Sequence, residues 1–517
     1  MIDDQRDVVD YLSSPAAYGR GVGTVTRIDT HSASIFLAGN RAYKLKRAVR
    51  FSYLDYSTPA LRERFCRAEL ELNRRTAPTL YLDVVPIVRS TSGALSIGGN
   101  GIPVDWLVLM RRFDQDNLLD RLADAGRLTR PLVLELADHI VQFHSSAERV
   151  FDEGGYAGLL GVIKINEENL AQAVPSLLDP SAVLSLRDIT SAALSRSKLL
   201  LERRKAAGRV RRCHGDMHLG NICLIDGRPT LFDCIEFNRS IACTDVLYDL
   251  AFLIMDLEHR SLRALGNAVL NRYLDLADET DGLPLLPLLL SLRASVRAHV
   301  SIAAARTQKR PDEVEGRITL AREYLGLALR LLVASRPQLV AIGGLSGTGK
   351  STLAYGLAPD LGAVPGARVL RSDVLRKRLK GIAPGARLPD EAYATRMTQE
   401  VYSGLNEAAA AALAAGHSVI VDAVFAQPAE RAAIAATARA AGVPFIGLWL
   451  EAPPKLLAER IQARKDDASD ATVSVLQRQL TYDLGPMDWI PLDASGDTAT
   501  CLAAARAVLS ARHLPSG

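Results

Sequence analysis

His214-Gly215-Asp216-Met217-His218-Leu219-Gly220-Asn221 is followed, after two short strand-like runs, by Leu231-Phe232-Asp233. An aspartate in such a loop can accept a proton from a hydroxyl group and orient its oxygen toward a phosphorus atom. An amide and a second carboxylate can hold Mg²⁺ beside the phosphates. The stretch therefore predicts phosphoryl transfer, with Asp216 as the catalytic residue and Asn221 and Asp233 as metal ligands. His214 is expected to hold the shape of the loop, and Asp249 to brace it from a following helix.

The chain before this loop is β-rich and the chain around and after it is largely helical. Ser34–Leu37 and Ala42–Leu45 flank a Gly39-Asn40 turn, which is a hairpin signal. We expect a helix over 60–75 and further strands at Tyr81–Val88 and Trp106–Met110. Helices are predicted over 131–148, 181–204, 245–275, 285–306 and 312–334. This order predicts an α+β two-lobed domain of the protein-kinase type over 1–335, with a small lobe over about 1–112 and a helical lobe over about 113–335.

A second phosphate-binding pattern, Gly344-Leu345-Ser346-Gly347-Thr348-Gly349-Lys350-Ser351, follows the apolar run Gln338–Ile342 and precedes a helical segment. That is the context in which a P-loop wraps its backbone N–H groups around a phosphate. Lys350 is expected to reach the β/γ-phosphate oxygens and Ser351 to bind Mg²⁺. The motif predicts nucleotide binding more directly than it predicts catalysis. The nucleotide-binding residues predicted here are Gly344, Ser346, Gly347, Thr348, Gly349, Lys350, Ser351 and Thr352.

After Ser335-Arg336-Pro337 the pattern becomes an alternation of strands and helices. Such alternation predicts an α/β P-loop NTPase domain with a parallel sheet over 336–517. Asp373 follows one predicted strand, where it can bind an acceptor hydroxyl or act as a base, and we assign it as catalytic. Asp422 ends another strand and is assigned as a metal ligand. The alternative for both is a carboxylate that caps a helix or a turn.

Composition limits the possible partners. A chain of 517 residues with 48% hydrophobic and 23% charged residues is typical of globular protein with more than one domain. A net charge of +4 is small for this length and argues against a nucleic-acid partner. The run Leu283–Leu292 is shorter than the roughly 20 residues of a membrane span, and no secretory signal is visible. Six cysteines without a C-x-x-C pattern fit buried thiols in a reducing cytoplasm.

The loop at His214–Asn221 resembles that of the aminoglycoside phosphotransferase and choline kinase superfamily, which reads H-G-D-x-H-x-x-N. More narrowly, the chain resembles, almost end to end, the bacterial bifunctional aminoglycoside phosphotransferase/ATP-binding proteins, whose pattern matches Thr30–Ser34, Ala42–Lys46 and Phe51–Asp55. The resemblance implies that Lys44 binds the α/β-phosphates and pairs with Glu69. Lys46 and Glu71 are the fallback pair, and a solvated strand lysine is the alternative for Lys44.

The resemblance also assigns two segments of the first domain. Leu109–Arg112 is where such folds hinge and contact adenine. The chain has no G-x-G-x-x-G between its first strands, so the resemblance implies that Thr30–Ser34 covers the phosphates instead.

The basic segment from Glu459 to Lys465 resembles the lid of gluconate-kinase-like P-loop kinases. Arg460 and Arg464, four residues apart, share one helix face and by this resemblance close over ATP. An ordinary solvated helix is the alternative.

These patterns favour an ATP- and Mg²⁺-dependent phosphotransferase with two nucleotide sites and a small-molecule hydroxyl acceptor. One alternative is a single active kinase whose P-loop domain senses nucleotide; another is a pseudokinase that keeps the Asp216 motif as structure. Aminoglycoside inactivation would need an acidic pocket, and the scattered acids Asp114, Asp116 and Asp120 form no dense cluster. A polynucleotide 5′-kinase is disfavoured by the modest charge. The sequence leaves open the acceptor, the oligomeric state and the arrangement of the domains.

Overall fold

The chain divides into two compact units. The computed structural model describes residues 4–30, 32–51, 54–306, 308, 310–382, 386, 388, 394–463 and 471–511. The first unit comprises Met1–Arg260 and Leu288–Leu332, and the second comprises Ser261–Pro287 and Val333–Gly517. The last change of unit along the chain, between Leu332 and Val333, lies close to the predicted boundary at 335/336. Residues 261–287 were predicted to belong to the first domain, but they group with the P-loop unit.

The first unit starts with a six-stranded antiparallel sheet in the order β1-β2-β3-β8-β6-β7. A two-residue turn joins β2 to β3, with Gly39 at φ +57°. Thr58 caps helix α2 by accepting a hydrogen bond from the backbone N–H of Leu61. The elements are α1 (Arg6–Ser13), β1 (Val25–Asp29), β2 (Ala33–Ala38), β3 (Arg41–Lys46), β4 (Arg50–Phe51), β5 (Leu54–Asp55), α2 (Pro59–Asn73), β6 (Tyr81–Arg89), β7 (Leu95–Ile97) and β8 (Ile102–Arg111).

The rest of the first unit is mostly helical. Two short antiparallel ladders, β9 with β12 and β10 with β11, flank the His214–Asn221 loop. The elements are α3 (Leu119–Asp124), α4 (Arg130–Ser146), α5 (Gly155–Ala171), α6 (Pro180–Ala206), β9 (Val210–Arg212), β10 (Ile222–Ile225), β11 (Arg228–Leu231), α7 (Arg239–Ala242), β12 (Cys243–Asp245) and α8 (Val246–His259). Helices α10 (Leu286–Ala305) and α11 (Pro311–Leu331) complete it.

The single helix predicted over 245–275 is wrong. The chain forms α8 and then α9 (Arg263–Leu276), with a break in which Ser261 adopts φ +60°. A non-glycine residue in this left-handed region cannot continue an α-helix. Helix α5 was not predicted from the sequence.

The second unit contains a five-stranded parallel sheet in the order β14-β15-β13-β16-β17. This arrangement confirms the predicted α/β P-loop fold. After α9 its elements are β13 (Leu339–Gly344), α12 (Lys350–Leu357), β14 (Arg368–Arg371), α13 (Ser372–Leu379), α14 (Thr395–Ala414), β15 (Val419–Asp422), α15 (Pro428–Ala440), β16 (Phe445–Glu451), α16 (Pro454–Gln462), α17 (Val473–Gln479), β17 (Ile490–Asp493) and α18 (Thr498–Ala511). Short 3₁₀ helices occur in the two units at Pro15–Tyr18, Gln115–Asn117, Leu219–Asn221, Thr280–Leu285 and Ala358–Asp360.

Helix α9 belongs to the second unit because it is bonded to the edge strand β14. The Asn271 side chain accepts a hydrogen bond from the Val369 backbone N–H at 2.8 Å and donates to the Ala367 carbonyl at 3.1 Å. Asp275 pairs with the guanidinium of Arg368 at 2.6 Å. These contacts satisfy backbone groups that an edge strand would otherwise leave open.

The helical stretch Thr280–Ala305 is longer than the apolar run predicted from the sequence. Its 26 residues are long and apolar enough to cross a membrane by length and composition, and 72% of its most apolar window is buried inside the protein. Core helices of globular proteins pass the same test, so this stretch is weak evidence for a membrane span.

Candidate functional site

Asp216 lies in the loop between β9 and the 3₁₀ helix Leu219–Asn221. The Asn221 side-chain amide donates to both the backbone carbonyl and the Oδ2 atom of Asp216, each at 2.9 Å. His218 Nδ1 accepts from the Gly220 N–H at 3.1 Å, and His218 Nε2 faces Asp216 Oδ2 at 3.5 Å. The structure therefore brings the predicted proton acceptor and one predicted metal ligand into direct contact.

Buried hydrogen bonds fix the backbone of this loop. The Asp249 carboxylate accepts hydrogen bonds from the backbone N–H groups of His214, at 2.9 Å, and Gly215, at 2.8 Å. His144 Nε2 lies 3.2 Å from the same carboxylate. The His214 ring donates from Nε2 to the Phe232 carbonyl at 2.9 Å, and burial lowers the pKa of His214. The expected bracing role of Asp249 and shaping role of His214 are confirmed.

Two arginines on α10 also face the loop, and neither was predicted from the sequence. Arg293 donates to the Gly215 carbonyl at 2.9 Å. Arg297 interacts electrostatically with Asp216. Burial works to raise the pKa of Asp216, but His218, followed by Arg297, holds that pKa below its ordinary value. No local motif marks these arginines, since they lie far from the loop in sequence.

Lys44 connects strand β3 to the metal-ligand candidate Asp233. Its Nζ lies 2.8 Å from Glu69 Oε1 and 2.5 Å from Asp233 Oδ1. The Glu69 side chain is fully buried, whereas that of Asp233 is 40% exposed. Burial opposes the charge of Lys44, yet Asp233 and Glu69 raise the pKa of Lys44 well above its ordinary value. The predicted Lys44–Glu69 pair is present, and Lys44 is not a solvated strand lysine.

Lys46, the fallback lysine, is part of the same buried network. Its Nζ lies 2.5 Å from both Glu69 Oε2 and Glu236 Oε1, and Tyr56 donates its hydroxyl to Glu236 at 2.5 Å. Burial alone would raise the pKa of Glu69, but Lys44 and Lys46 together lower it to about 2. Glu71, the fallback glutamate, is exposed. The two lysines therefore share one glutamate, with Glu236 as a partner that the sequence did not reveal.

The two segments assigned by resemblance in the first unit lie at opposite ends of the β2–β3 hairpin, Thr30–Ser34 at its open end and Leu109–Arg112 beside its turn. Thr30–Ser34 spans the turn from β1 to β2, although His31 lies outside the described residues. Leu109–Arg112 ends β8, where Arg111 pairs with Asp226 at 2.9 Å.

The P-loop of the second unit connects β13 to α12. Gly344 adopts φ +138° and Gly347 φ +90°. A Cβ atom at Gly344 would lie 2.7 Å from the Leu450 carbonyl oxygen, and one at Gly347 would lie 2.7 Å from that of Leu457. Both positions require glycine for conformation and for space.

The polar groups of the P-loop converge on one large cavity. Ser351 donates its hydroxyl to Asp422 Oδ2 at 2.5 Å, and Arg371 Nε lies 3.3 Å from the same oxygen. Lys350 Nζ donates to the Leu345 carbonyl at 3.0 Å. The cavity has a volume of about 1240 Å³, and Asp373 lines it together with the loop residues from Ser346 to Thr352. The structure thus gathers the residues predicted after Gly344 around one space.

Arg460 lines the P-loop cavity, and its predicted closure over ATP stays a prediction. Its guanidinium donates to the carbonyls of Ala494, at 2.8 Å, and Gly496, at 3.1 Å, so it anchors the loop after β17 at the wall of the cavity. Arg464 lies outside the described residues. Arg376 and Arg478 line the cavity and were missed, because no motif distinguishes them from other helical arginines.

Comparisons with known families cover both units. A model described as "Phosphotransferase enzyme family" matches residues 40–285, and one described as "AAA domain" matches residues 339–482. The two kinase-like domains support an ATP-dependent phosphotransferase.

The chain is also similar to proteins of known sequence or structure. Uncharacterized proteins of Mycobacterium bovis and Mycobacterium tuberculosis are each 30% identical to it over 471 residues, which cover 88% of this chain and 90% of each relative. A gluconokinase from Sinorhizobium meliloti 1021 is 21% identical, with 35% of this chain and 100% of that chain covered at a TM-score of 0.26. A choline/ethanolamine kinase family protein from Mesorhizobium loti is 13% identical, with 63% and 98% covered at a TM-score of 0.38. The chain belongs to the bacterial bifunctional aminoglycoside phosphotransferase/ATP-binding protein family.

Proposed function

We propose that the chain is an ATP-dependent phosphotransferase that acts on the hydroxyl group of a small molecule and has two nucleotide sites. The observation that carries the proposal is the ion chain of Glu69, Lys44 and Asp233 in the unit that holds the Asp216–Asn221 contact. A pseudokinase that keeps the Asp216 motif only as structure would not need these three charged side chains to stay in contact.

In the first site Asp216 accepts the proton of the acceptor hydroxyl and orients its oxygen. Its depressed pKa keeps it ionised at neutral pH, and the Asn221 amide holds its carboxylate in place. Lys44 binds the α/β-phosphates, and Glu69 fixes the Lys44 ammonium group where the phosphates bind.

The oxygen atoms of Asn221 and Asp233 are of the kind that Mg²⁺ prefers, and Asp233 is the exposed end of the ion chain. Asn221 and Asp233 would hold the ion in the first site, and Ser351 and Asp422, already in contact at 2.5 Å, would hold it in the second. When bound, the ion neutralises phosphate charge.

In the second site Lys350 and the backbone N–H groups of the P-loop bind the β- and γ-phosphates, and Thr352 contributes at the start of α12. Asp373 contacts the second acceptor. The cavity of about 1240 Å³ is large enough for a nucleotide and a small acceptor together. The two units act as the two catalytic domains, with residues 261–287 part of the second.

The test is acceptor-dependent ATP turnover in wild type, Asp216→Ala and Lys350→Ala. Each protein is assayed against sugars, amino sugars, aminoglycosides and nucleosides, with phosphorylated product measured by mass spectrometry. We expect each substitution to remove phosphorylation of a different acceptor. If Lys350→Ala only changes the rate of the phosphorylation that Asp216→Ala abolishes, the P-loop unit is a nucleotide sensor instead.

A matched pair guards against general damage to the protein. Glu71→Gln changes an exposed glutamate on the same helix as Glu69 and is expected to leave phosphorylation unchanged. Glu69→Gln is expected to reduce it. Equal activity in both variants would contradict the assigned role of the Glu69–Lys44 pair.

A further inference from the structure

The guanidinium group of Arg297 lies beside the catalytic loop without a carboxylate in direct contact. Arg293, one helical turn earlier on α10, bonds that loop, and residues four apart share one helix face. Arg297 is half-buried, and Tyr324, Asp256 and Asp216 are the groups that act on its charge. Among the described residues, no carboxylate forms an ion pair with it. A cation that is partly withdrawn from water normally has an anion in contact with it.

The two carboxylates that attract Arg297 are bonded to other groups. Asp256 accepts a hydrogen bond from the Leu219 backbone N–H at 3.0 Å and lies 3.4 Å from the guanidinium of Arg260. Asp216 accepts an amide hydrogen bond within its own loop at 2.9 Å. Both act on Arg297 without an ion pair to it, so the positive charge beside the catalytic loop is only partly neutralised.

A small molecule can reach both Arg297 and Asp216. The Asp216 side chain is 37% exposed, and Arg297 is only half-buried. The buried Tyr324 ring packs against one side of Arg297, with its centre 5.8 Å from the guanidinium carbon. Because Arg297 acts on the charge of Asp216, a molecule that presents a hydroxyl group to Asp216 also comes close to the guanidinium.

This arrangement selects the charge of the acceptor. A cationic acceptor would approach Arg297 against like-charge repulsion, which weakens binding. An anionic acceptor would meet two negative groups, Asp216 and the γ-phosphate, and the guanidinium is placed to offset both. Its N–H groups form a fork that matches two oxygens of a carboxylate or a phosphate group. Such a group on the acceptor would supply the anion that Arg297 lacks.

We propose that the acceptor of the first site carries a carboxylate or phosphate group near its reacting hydroxyl, and that Arg297 binds this group. The inference rests on the proposed phosphotransferase function. The hydroxyl oxygen bonds to the γ-phosphorus as the bond from that phosphorus to the bridging β–γ oxygen breaks, and Asp216 takes the hydroxyl proton. The products are ADP and the phosphorylated acceptor. The group at Arg297 changes no bond and holds the acceptor in position.

The γ-phosphate of ATP is the other oxyanion that could meet Arg297, and the experiment separates the two sources. Inorganic phosphate is titrated calorimetrically into the full chain at neutral pH and constant ionic strength. The titration is done without nucleotide and again with Mg²⁺ and a saturating non-hydrolysable ATP analogue, which fills the γ-phosphate position. We expect one Arg297-dependent phosphate per chain in both states, with a dissociation constant on the order of 1–10 mM.

Arg297→Gln should weaken phosphate binding at least about ten-fold, because charge-assisted hydrogen bonds are lost. Arg306→Gln is the matched control, since Arg306 follows α10, is exposed and donates to the Gln172 carbonyl at 3.4 Å; its phosphate affinity should be unchanged. Asp216→Asn should tighten phosphate binding, because it removes a nearby negative charge. A role of Arg297 confined to the pKa of Asp216 would leave phosphate affinity unchanged at neutral pH, where an aspartate is ionised with or without that help.

Three results would overturn the inference. The first is unchanged phosphate affinity in Arg297→Gln, and the second is no saturable binding of phosphate up to about 50 mM. The third is binding that disappears when the ATP analogue is present, which would assign Arg297 to the γ-phosphate. If Arg297→Gln does not fold, Arg297→Lys decides. It keeps the charge without the fork of N–H groups and should weaken phosphate binding about three-fold or more, so wild-type affinity in this variant would contradict the inference.

This test is separate from that of the proposed function, because phosphate binding needs no turnover. If phosphate binds at Arg297 but no acceptor is phosphorylated in an Asp216-dependent manner, the proposed function fails and the anion site stands. If an acceptor is phosphorylated in that manner but carries no anionic group, the inference alone fails.

Discussion

The surroundings of Asp216 favour its ionised form. His218 and then Arg297 depress its pKa against the effect of burial. The carboxylate is therefore ionised at every pH above the ordinary range of an aspartate, and Asp216 adds no acid limb to the rate profile between about pH 5 and 8.

Arg297→Gln should expose this tuning. Removing the guanidinium raises the pKa of Asp216 toward its ordinary value, so the acid limb that Asp216 adds to kcat/KM for the first acceptor below about pH 5 should move to higher pH. Arg297→Lys keeps the charge and should restore much of the wild-type profile. The measurement is the pH dependence of kcat/KM in the three proteins; an acid limb that stays in place in Arg297→Gln would contradict the assigned effect.

Glu69 gives the first unit a pH-dependent stability. Its pKa falls from 4.5 to about 2 because two buried lysines outweigh its burial. A group with a depressed folded pKa stabilises the protein above its unfolded pKa, and that stability is lost as the pH falls through the folded pKa. The loss should therefore occur between pH 4.5 and about 2.

Glu69→Gln should destabilise the first unit by roughly 3 kcal/mol at pH 7, because it leaves Lys44 and Lys46 with fewer partners in a buried site. Glu71→Gln should change the free energy of unfolding by no more than about 0.5 kcal/mol. Urea unfolding at pH 7 and at pH 3 measures both. A Glu69→Gln protein that keeps the wild-type loss of stability in acid would show that another group carries it.

The sequence identified the groups that belong to motifs and missed those that do not. Asp216, Asn221, Lys350 and Ser351 have a fixed spacing from their neighbours, so pattern alone indicated them. Arg297 acts on Asp216 from a helix distant in sequence, and such contacts depend on packing that no local pattern records.

At the scale of elements, α9 joins the P-loop unit through the Asn271 side chain. Asn271 bonds backbone groups of the edge strand β14 on both its donor and acceptor sides. The sequence predicts one long helix over this region, because apolar periodicity continues through the break at Ser261 and periodicity does not report the partner of a helix. The strands of the parallel sheet and the helices that connect them were easier to predict. Each strand is a short apolar run, and each helix has a clear helical periodicity.

Asn271→Leu should destabilise the second unit by about 2 kcal/mol, because it leaves the Val369 N–H without its side-chain partner, although the Ala367 carbonyl keeps the Asn267 amide at 3.0 Å. Leu276→Ala, at a position that is 40% exposed on the same helix, should cost no more than about 0.5 kcal/mol. Unfolding is followed by the fluorescence of Trp449 and Trp489 in a Trp106→Phe background. Equal midpoints for the two variants would show that α9 does not stabilise the sheet.

For the whole molecule, we propose that one chain carries two separate nucleotide sites. The proposal assigns phosphate binding to Lys44 with Glu69 in the first unit and to Lys350 with the P-loop in the second, and the contacts of both lysines support it. The sequence predicted both sites because each rests on a local motif in its proper context.

The most direct measurement is the stoichiometry with which a non-hydrolysable ATP analogue binds in the presence of Mg²⁺. We expect two molecules per chain for wild type, one for Lys350→Ala and one for Lys44→Met, with exposed Glu71→Gln, which should keep two, as a control for general damage to the first unit. A wild-type stoichiometry of one that Lys44→Met leaves unchanged would contradict the claim, because the first unit would then have no nucleotide site of its own.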